Sequence, residues 1–177
     1  MDAIELLTQD HRRVETLFAD FERDKGDRRA DILADLIREL SIHIAIEEAY
    51  VYPTVRLEAR RGDTLIDEAE REHQRIEEVL ARLDGKLEKA HTKDVADQVG
   101  TLKKYVMHHV PEEEREVFPA LAERVSKTQL EEIGRRLRHG KETAPTRPHP
   151  NQPAATSLTA WANGLVDRAR DRVAGRA

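Results

Sequence analysis

His43-Ile-Ala-Ile-Glu47-Glu48-Ala-Tyr50-Val-Tyr52-Pro53 and His109-Val-Pro-Glu-Glu113-Glu114-Arg-Glu116-Val-Phe118-Pro119 follow one template, His-x3-Glu-Glu-x3-aromatic-Pro, displaced by about 66 positions. Each copy is preceded by an acid–histidine pair with a similar continuation, Asp10-His11-Arg-Arg-Val14-Glu15 before the first and Glu72-His73-Gln-Arg-Ile76-Glu77 before the second. A repeat of this kind marks a doubled helical hairpin, each half carrying two histidines and a carboxylate.

Outward from these stretches the apolar residues recur at threes and fours, the period of amphipathic helices. Ile4, Leu7, His11, Val14, Phe18 and Phe21 form the first stripe, closed by Lys25-Gly26-Asp27. Ile32, Leu36, Leu40, His43, Glu47 and Tyr50 form the second, which Pro53 kinks or ends because proline removes a backbone donor. After Arg61-Gly62, with Asp63 or Thr64 as a candidate N-cap, the third runs through Ile66, Ala69, His73, Ile76, Leu80, Leu83 and Leu87. The fourth, from about Lys93 to Arg124, carries Val95, Val99, Leu102, Val106, His109, Glu113, Glu116 and Leu121, with Pro111 inside it. Short breaks between the four predict antiparallel neighbours. The fold class is therefore all-α, an up-down-up-down four-helix bundle. An extra helix over Thr128 to His139 packs outside it with Gly140 as C-cap, followed by a basic amphipathic tail. The expected divisions are a bundle with its packing helix over 1–140, a Pro-rich linker over 141–157 and the tail over 158–177. Ser157 is the candidate cap of that tail, which carries Leu158, Trp161, Leu165 and Val173 against Arg168, Arg170, Arg172 and Arg176. It is expected to dock on the domain or touch a protein partner.

Composition narrows the function. Charged residues make up 37% and aromatics 4%, with a net charge of −5 and no basic stripe interleaved with aromatics, so nucleic acid is not the expected partner. Without cysteine there is no disulfide, thiolate ligand or thiol nucleophile. No apolar run approaches the roughly 20 residues of a membrane span, and the N-terminus lacks a signal-type apolar region. A cytoplasmic protein is expected.

The histidines carry the chemistry. His11, His43, His73 and His109 each occupy a core position of a different stripe, whereas His91, His108, His139 and His149 do not. Counting from the breaks at ~1.5 Å per residue levels His11 with His43 and His73 with His109. Glu47 and Glu113 follow their histidines by one turn on the same face. Burying them without cationic partners costs several kcal/mol each, and no Lys or Arg shares the inner stripe. A bound cation removes that cost. Nitrogen and oxygen ligands without thiolate suit iron, manganese or zinc, and two facing pairs with two further histidines suit two ions.

His11, His43-x3-Glu47, His73 and His109-x3-Glu113, in this order and spacing over residues 4–124, resemble the haemerythrin family in its bacterial HHE cation-binding branch. The resemblance implies a non-haem di-iron centre, two iron ions in an Fe–O–Fe unit with an oxo or hydroxo bridge, bridged also by Glu47 and Glu113 and with the four histidines as terminal ligands. It further implies binding of, or reaction with, oxygen, hydrogen peroxide or nitric oxide. Oxygen-carrying members have a second histidine one turn after that of the third helix. Here Glu77 stands there, either as a helix-face residue or as a carboxylate completing one iron's coordination, and this favours a catalase-like or sensing role over oxygen transport. Tyr50, one turn beyond Glu47, is the candidate catalytic residue, placed to hydrogen-bond a small oxidant. The alternatives are a ferritin-like di-iron oxidase, for which only Glu70-x-x-His73 of the two required Glu-x-x-His motifs is present, and an interaction module around a structural metal site.

The pattern predicts that His109→Ala loses metal and that His108→Ala, off the inner stripe, retains it, as read by metal analysis of the purified variants.

Overall fold

Two hairpins make the bundle in the computed structural model, which describes residues 1–150 and 158–173, with side chains in the latter stretch from residue 164 onward. Helix α1 (Ala3–Arg23) pairs with α2 (Arg29–Tyr50), and α4 (Gly62–Asp84) pairs with α5 (Lys93–Glu112). A short α3 (Tyr52–Glu58) continues α2 after a break at Val51. A π-helical turn over Glu113–Val117 joins α5 to α6 (Phe118–Ala122), and α7 (Lys127–Thr143) lies across α1 and α2. Helix α8 spans Leu158–Val173. Antiparallel order is fixed by cross-helix contacts such as His11 with His43, Arg29 with the Phe21 carbonyl, and His73 with His109.

The ends follow local chemistry. Asp2 and Glu5 cap α1 reciprocally, Thr92 caps α5, and Ser126 with Gln129 forms a second capping box on α7. Neither Asp63 nor Thr64 caps α4. That helix starts at Gly62, after Arg61 in the left-handed region at φ 66°, because the chain turns back hard against α3. A Cβ on Gly62 would overlap the Val55 carbonyl oxygen and lie 2.9 Å from Arg56 Cα. Gly140 is not a C-cap either. It sits inside α7, where the missing side chain admits the Tyr50 ring, which a Cβ would approach to 2.7 Å. Pro111 occupies the last turn of α5, and the ladder loosens into the π-helical turn immediately after it.

The core divides in two. One cluster, including Phe18, Phe21, Leu33, Leu36, Leu80, Leu83 and Leu102, fills the end near the hairpin loops. The other, including Leu7, Ile46, Tyr52, Ile66, Phe118 and Leu121, fills the opposite end and is closed by Leu130, Ile133 and Leu137 of α7. Between them lies a polar layer of Asp10, His11, His43, Glu47, His73, His109 and Glu113, all buried. At the loop end, buried Arg29 donates to the carbonyls of Phe21, Asp24 and Ala90 and lies 4.0 Å over the Phe21 ring, satisfying helix-end acceptors of both hairpins.

Residues 144–150 run over the bundle. Ala144 and Thr146 are buried, Arg147 pairs with Asp84 and Asp171, and His149 reaches Asp167. On α8 the acids Asp167 and Asp171 are buried while Leu165, Val166 and Val173 are exposed. The expected Ser157 cap, the Trp161 side chain and Arg176 fall outside the described residues. Among the described residues no helix is long and apolar enough to cross a membrane.

Gly62→Ala is expected to lower stability by about 1–3 kcal/mol through overpacking against α3. Gly85→Ala, with open space around its Cβ, is expected to change it by less than ~0.5 kcal/mol. Denaturant titration of both variants measures the difference.

Candidate metal centre

Each helix of the bundle delivers one imidazole to the polar layer, and all four point Nε2 inward. His11 Nε2 and His43 Nε2 are 3.2 Å apart, and His73 Nε2 and His109 Nε2 are 3.1 Å apart. Glu47 Oε2 lies 3.1 Å from His43 Nε2 and 3.5 Å from His73 Nε2, so it reaches both pairs. Glu113 Oε2 lies 3.4 Å from His11 Nε2 and 3.6 Å from His109 Nε2 and does the same from the other side. Ligand-type atoms therefore gather in two groups that share Glu47, namely His11, His43, Glu47 and Glu113, and Glu47, His73 and His109.

This layer fits cations on its own terms. Both Glu47 oxygens and Glu113 Oε2 are buried with no hydrogen-bond partner, an arrangement that costs free energy unless a positive charge meets them. Facing imidazole nitrogens at ~3 Å either share a proton or share an ion. Burial alone would lower the pKa values of His43 and His73, but Glu47 with Asp10, and Glu47 with Glu48, outweigh it and hold each at about 10. Burial alone would raise Glu47, but His43 and His73 hold it well below the usual carboxylate range. Protons and metal ions thus compete for the same lone pairs.

The outer nitrogens settle which tautomer is offered. His11 Nδ1 donates to Glu114 Oε1 at 2.8 Å, His73 Nδ1 to Glu48 Oε1 at 3.0 Å, and His109 Nδ1 to Glu72 Oε2 at 2.9 Å. His43 Nδ1 faces Asp10 Oδ2 at 3.7 Å, while the other Asp10 oxygen accepts from Lys141 of α7. An ionised carboxylate only accepts, so at His11, His73 and His109 Nδ1 carries the proton and Nε2 is turned inward, while Asp10 is too far from His43 Nδ1 for a hydrogen bond. Glu48 and Glu114, the second acids of the two repeats, are partly exposed, and each reaches across to a histidine of the other hairpin. Their role, and that of Asp10 and Glu72, was signalled by the repeated Glu-Glu and acid–His pairs.

Two expected site residues are elsewhere. Tyr50 does not face the layer, because its ring packs against Gly140 of α7. Tyr52 takes the inner place, its ring stacked on His73 at 5.3 Å and its hydroxyl 3.1 Å from His73 Nε2 and donating to Glu113 Oε1 at 3.2 Å. Burial, with the charges of Glu113 and Glu47, pushes that hydroxyl well above its ordinary pKa, so it stays protonated. Its counterpart in the repeat, Phe118, stacks on His11 at 5.7 Å with no hydroxyl to offer. Phe118 comes round to this face because the π-helical turn closes a bond from its N–H to the Glu113 carbonyl, five residues back. Glu116, expected on the inner stripe, is exposed. Glu77 is outside both inward-facing groups. It lies beneath the 144–150 segment, accepting from the His149 N–H, and burial and Glu48 raise its pKa. Glu70 of the Glu-x-x-His motif pairs with Arg56 on the outside.

Above the imidazoles, Val14, Leu40, Ile44, Ile76, Val106 and Val110 enclose an apolar cavity of about 10 Å³, room for a molecule about the size of water.

Three comparisons bear on this layer. The family described as the hemerythrin HHE cation binding domain matches residues 2–121. A solved hemerythrin HHE cation binding domain-containing protein from Mycobacterium kansasii superposes with a TM-score of 0.68 at 25% identity, covering 80% of this chain and 86% of that one. A DNA nickase from Nostoc sp. is 27% identical over 135 residues, which is 75% of this chain and 37% of that relative's length.

The raised values of His43 and His73 fix the pH response of the metal-free chain. Their contribution to stability is complete below pH 6.5 and is lost as pH rises toward about 10. Glu47 contributes above its ordinary 4.5, and that contribution is lost as pH falls through its depressed value. The melting temperature of chelator-treated protein is therefore expected to fall between pH 6.5 and 10, and that of metal-loaded protein to stay nearly flat. A metal-free midpoint that rises over this interval would contradict the assignment.

Proposed function

Because the chain belongs to the hemerythrin HHE cation binding domain family, we propose that its polar layer holds two iron ions, bridged by Glu47 and Glu113 and an oxo or hydroxo group, with His11, His43, His73 and His109 as terminal ligands. The observation that carries this reading is the pair of buried carboxylates, three of whose oxygens have no hydrogen-bond partner, placed between two converging pairs of imidazoles. The centre binds or reacts with a small oxidant, oxygen, hydrogen peroxide or nitric oxide, and a peroxide-consuming or sensing role is favoured over oxygen transport. A pair of iron ions supplies two electrons to such a molecule and takes them back.

The chain's own residues set the conditions. Tyr52 holds a proton at its hydroxyl beside Glu113 Oε1 and can offer it as a hydrogen bond to a ligand at the His73 side, whereas Phe118 leaves the His11 side without a donor. The outer carboxylates Glu114, Glu48 and Glu72 keep the rings of His11, His73 and His109 oriented. The apolar lining between Val14 and Val110 admits only a very small molecule and keeps bulk water out. Glu77, turned toward His149 in place of the extra histidine of oxygen carriers, supports the preference against transport. The tail is read as held on the bundle through Arg147–Asp171 and His149–Asp167.

Protein purified from iron-supplemented cells is expected to contain two irons per chain with oxo-bridged ferric bands in the near ultraviolet. One zinc per chain in a colourless protein would overturn the assignment. Tyr52→Phe is expected to keep both irons and to slow peroxide consumption at least about tenfold. An unchanged rate would remove Tyr52 from the chemistry.

A further inference from the structure

The two apolar clusters close the ligand layer from both ends of the bundle, so a hydrated cation has to reach it from the side. On the side between α4 and α5, Glu72, His108 and Glu112 bring one ligand-type atom each within 4.8 Å of one another. His108 Nδ1 lies 2.9 Å from Glu72 Oε1 and 3.7 Å from Glu112 Oε2. His108 and Glu112 repeat the i, i+4 spacing of His109 and Glu113 one residue earlier, which at about 100° per residue turns them to the outer face of α5. Glu72 belongs to both sets, since its second oxygen accepts from His109 Nδ1.

Glu72 and Glu112 also line a surface cavity of about 220 Å³ with Glu68 and Glu116, with His109 and Glu113 among its walls, while Glu72 and His108 line a neighbouring one with Arg75 and Lys104. No Lys or Arg is among the lining residues of the first. Arg115 is close by, 3.8 Å from Glu112 and 3.2 Å from Glu116. Glu113 is only 1% exposed, and its Oε2 has no hydrogen-bond partner. A cleft with walls of one sign focuses the field and concentrates counter-ions, and here Glu113 and His109 of the inner layer are among its walls.

We propose that Glu72, His108 and Glu112 form a surface capture site for a divalent transition-metal ion, and that the acidic cavity is the port by which such ions reach Glu113 and His109. The port rests on the reading of the inner layer as a metal centre. One imidazole and two carboxylates leave most of the coordination sphere to water, so the ion is held weakly and passes on.

The test follows anaerobic loading of the chelator-treated full chain with cobalt(II), by absorbance in a stopped-flow instrument at low ionic strength. His108→Ala/Glu112→Gln is expected to reach the wild-type endpoint of two ions per chain about tenfold more slowly, with the gap closing at high salt. Glu123→Gln/Glu131→Gln, on a remote surface, is expected to load at the wild-type rate. A His108→Ala/Glu112→Gln variant that loads as fast as wild type would overturn the port and leave the centre standing. So would one with reduced occupancy and an unchanged rate, since that assigns the pair a supporting role. A wild-type chain that takes up no cobalt would remove the centre and the port together.

Discussion

Two carboxylates, Glu47 and Glu113, sit in the middle of a helical bundle with almost no exposure and, among the described residues, histidines as their ion-pair partners. Their burial sets the demands on everything around them. Four imidazoles have to converge on the same layer, the imidazole protons have to point outward, and the apolar cores have to stop short on either side. Without a cation the layer substitutes protons on His43 and His73, a compensation tied to pH. With a cation the same atoms are satisfied directly.

The outer carboxylates explain how such a layer is held rigid. Within each hairpin the acid before the first histidine faces the second, Asp10 toward His43 and Glu72 toward His109. Between hairpins the second acid of each repeat faces the other hairpin's first histidine, Glu48 toward His73 and Glu114 toward His11. The layer is thus cross-braced both within and across the duplicated halves, and displacing either hairpin would leave buried imidazole N–H groups unpaired. The symmetry fails at Tyr52 and Phe118, where one half of the centre has a buried hydroxyl and the other a bare ring, and at Glu72, which also holds His108 on the surface.

The bundle was legible because apolar periodicity and short breaks leave few alternatives, and the added helix packs where its stripe of Leu130, Ile133 and Leu137 requires. The convergence of His11, His43, Glu47, His73, His109 and Glu113 was legible for the same reason, since residues on the inner face of four level helices have to meet. Tyr50 and Glu77 were not. Tyr50 has the right spacing, but its ring is taken up by α7 at Gly140, and the interruption at Val51 turns Tyr52 inward. Glu77 has the right face, but a later segment of the chain, around His149, covers it.

What the sequence determined by itself was therefore which residues share a face and at what height, because helical period and spacing are local properties. The tertiary structure decided what each polar atom meets. Breaks at Val51 and after Pro111 reset the helical phase, Gly62 and Gly140 let backbone and ring approach closely, and Glu48 and Glu114 find their histidines on the opposite hairpin. These are contacts between distant parts of the chain, set by how the elements pack and not by the period within any one of them.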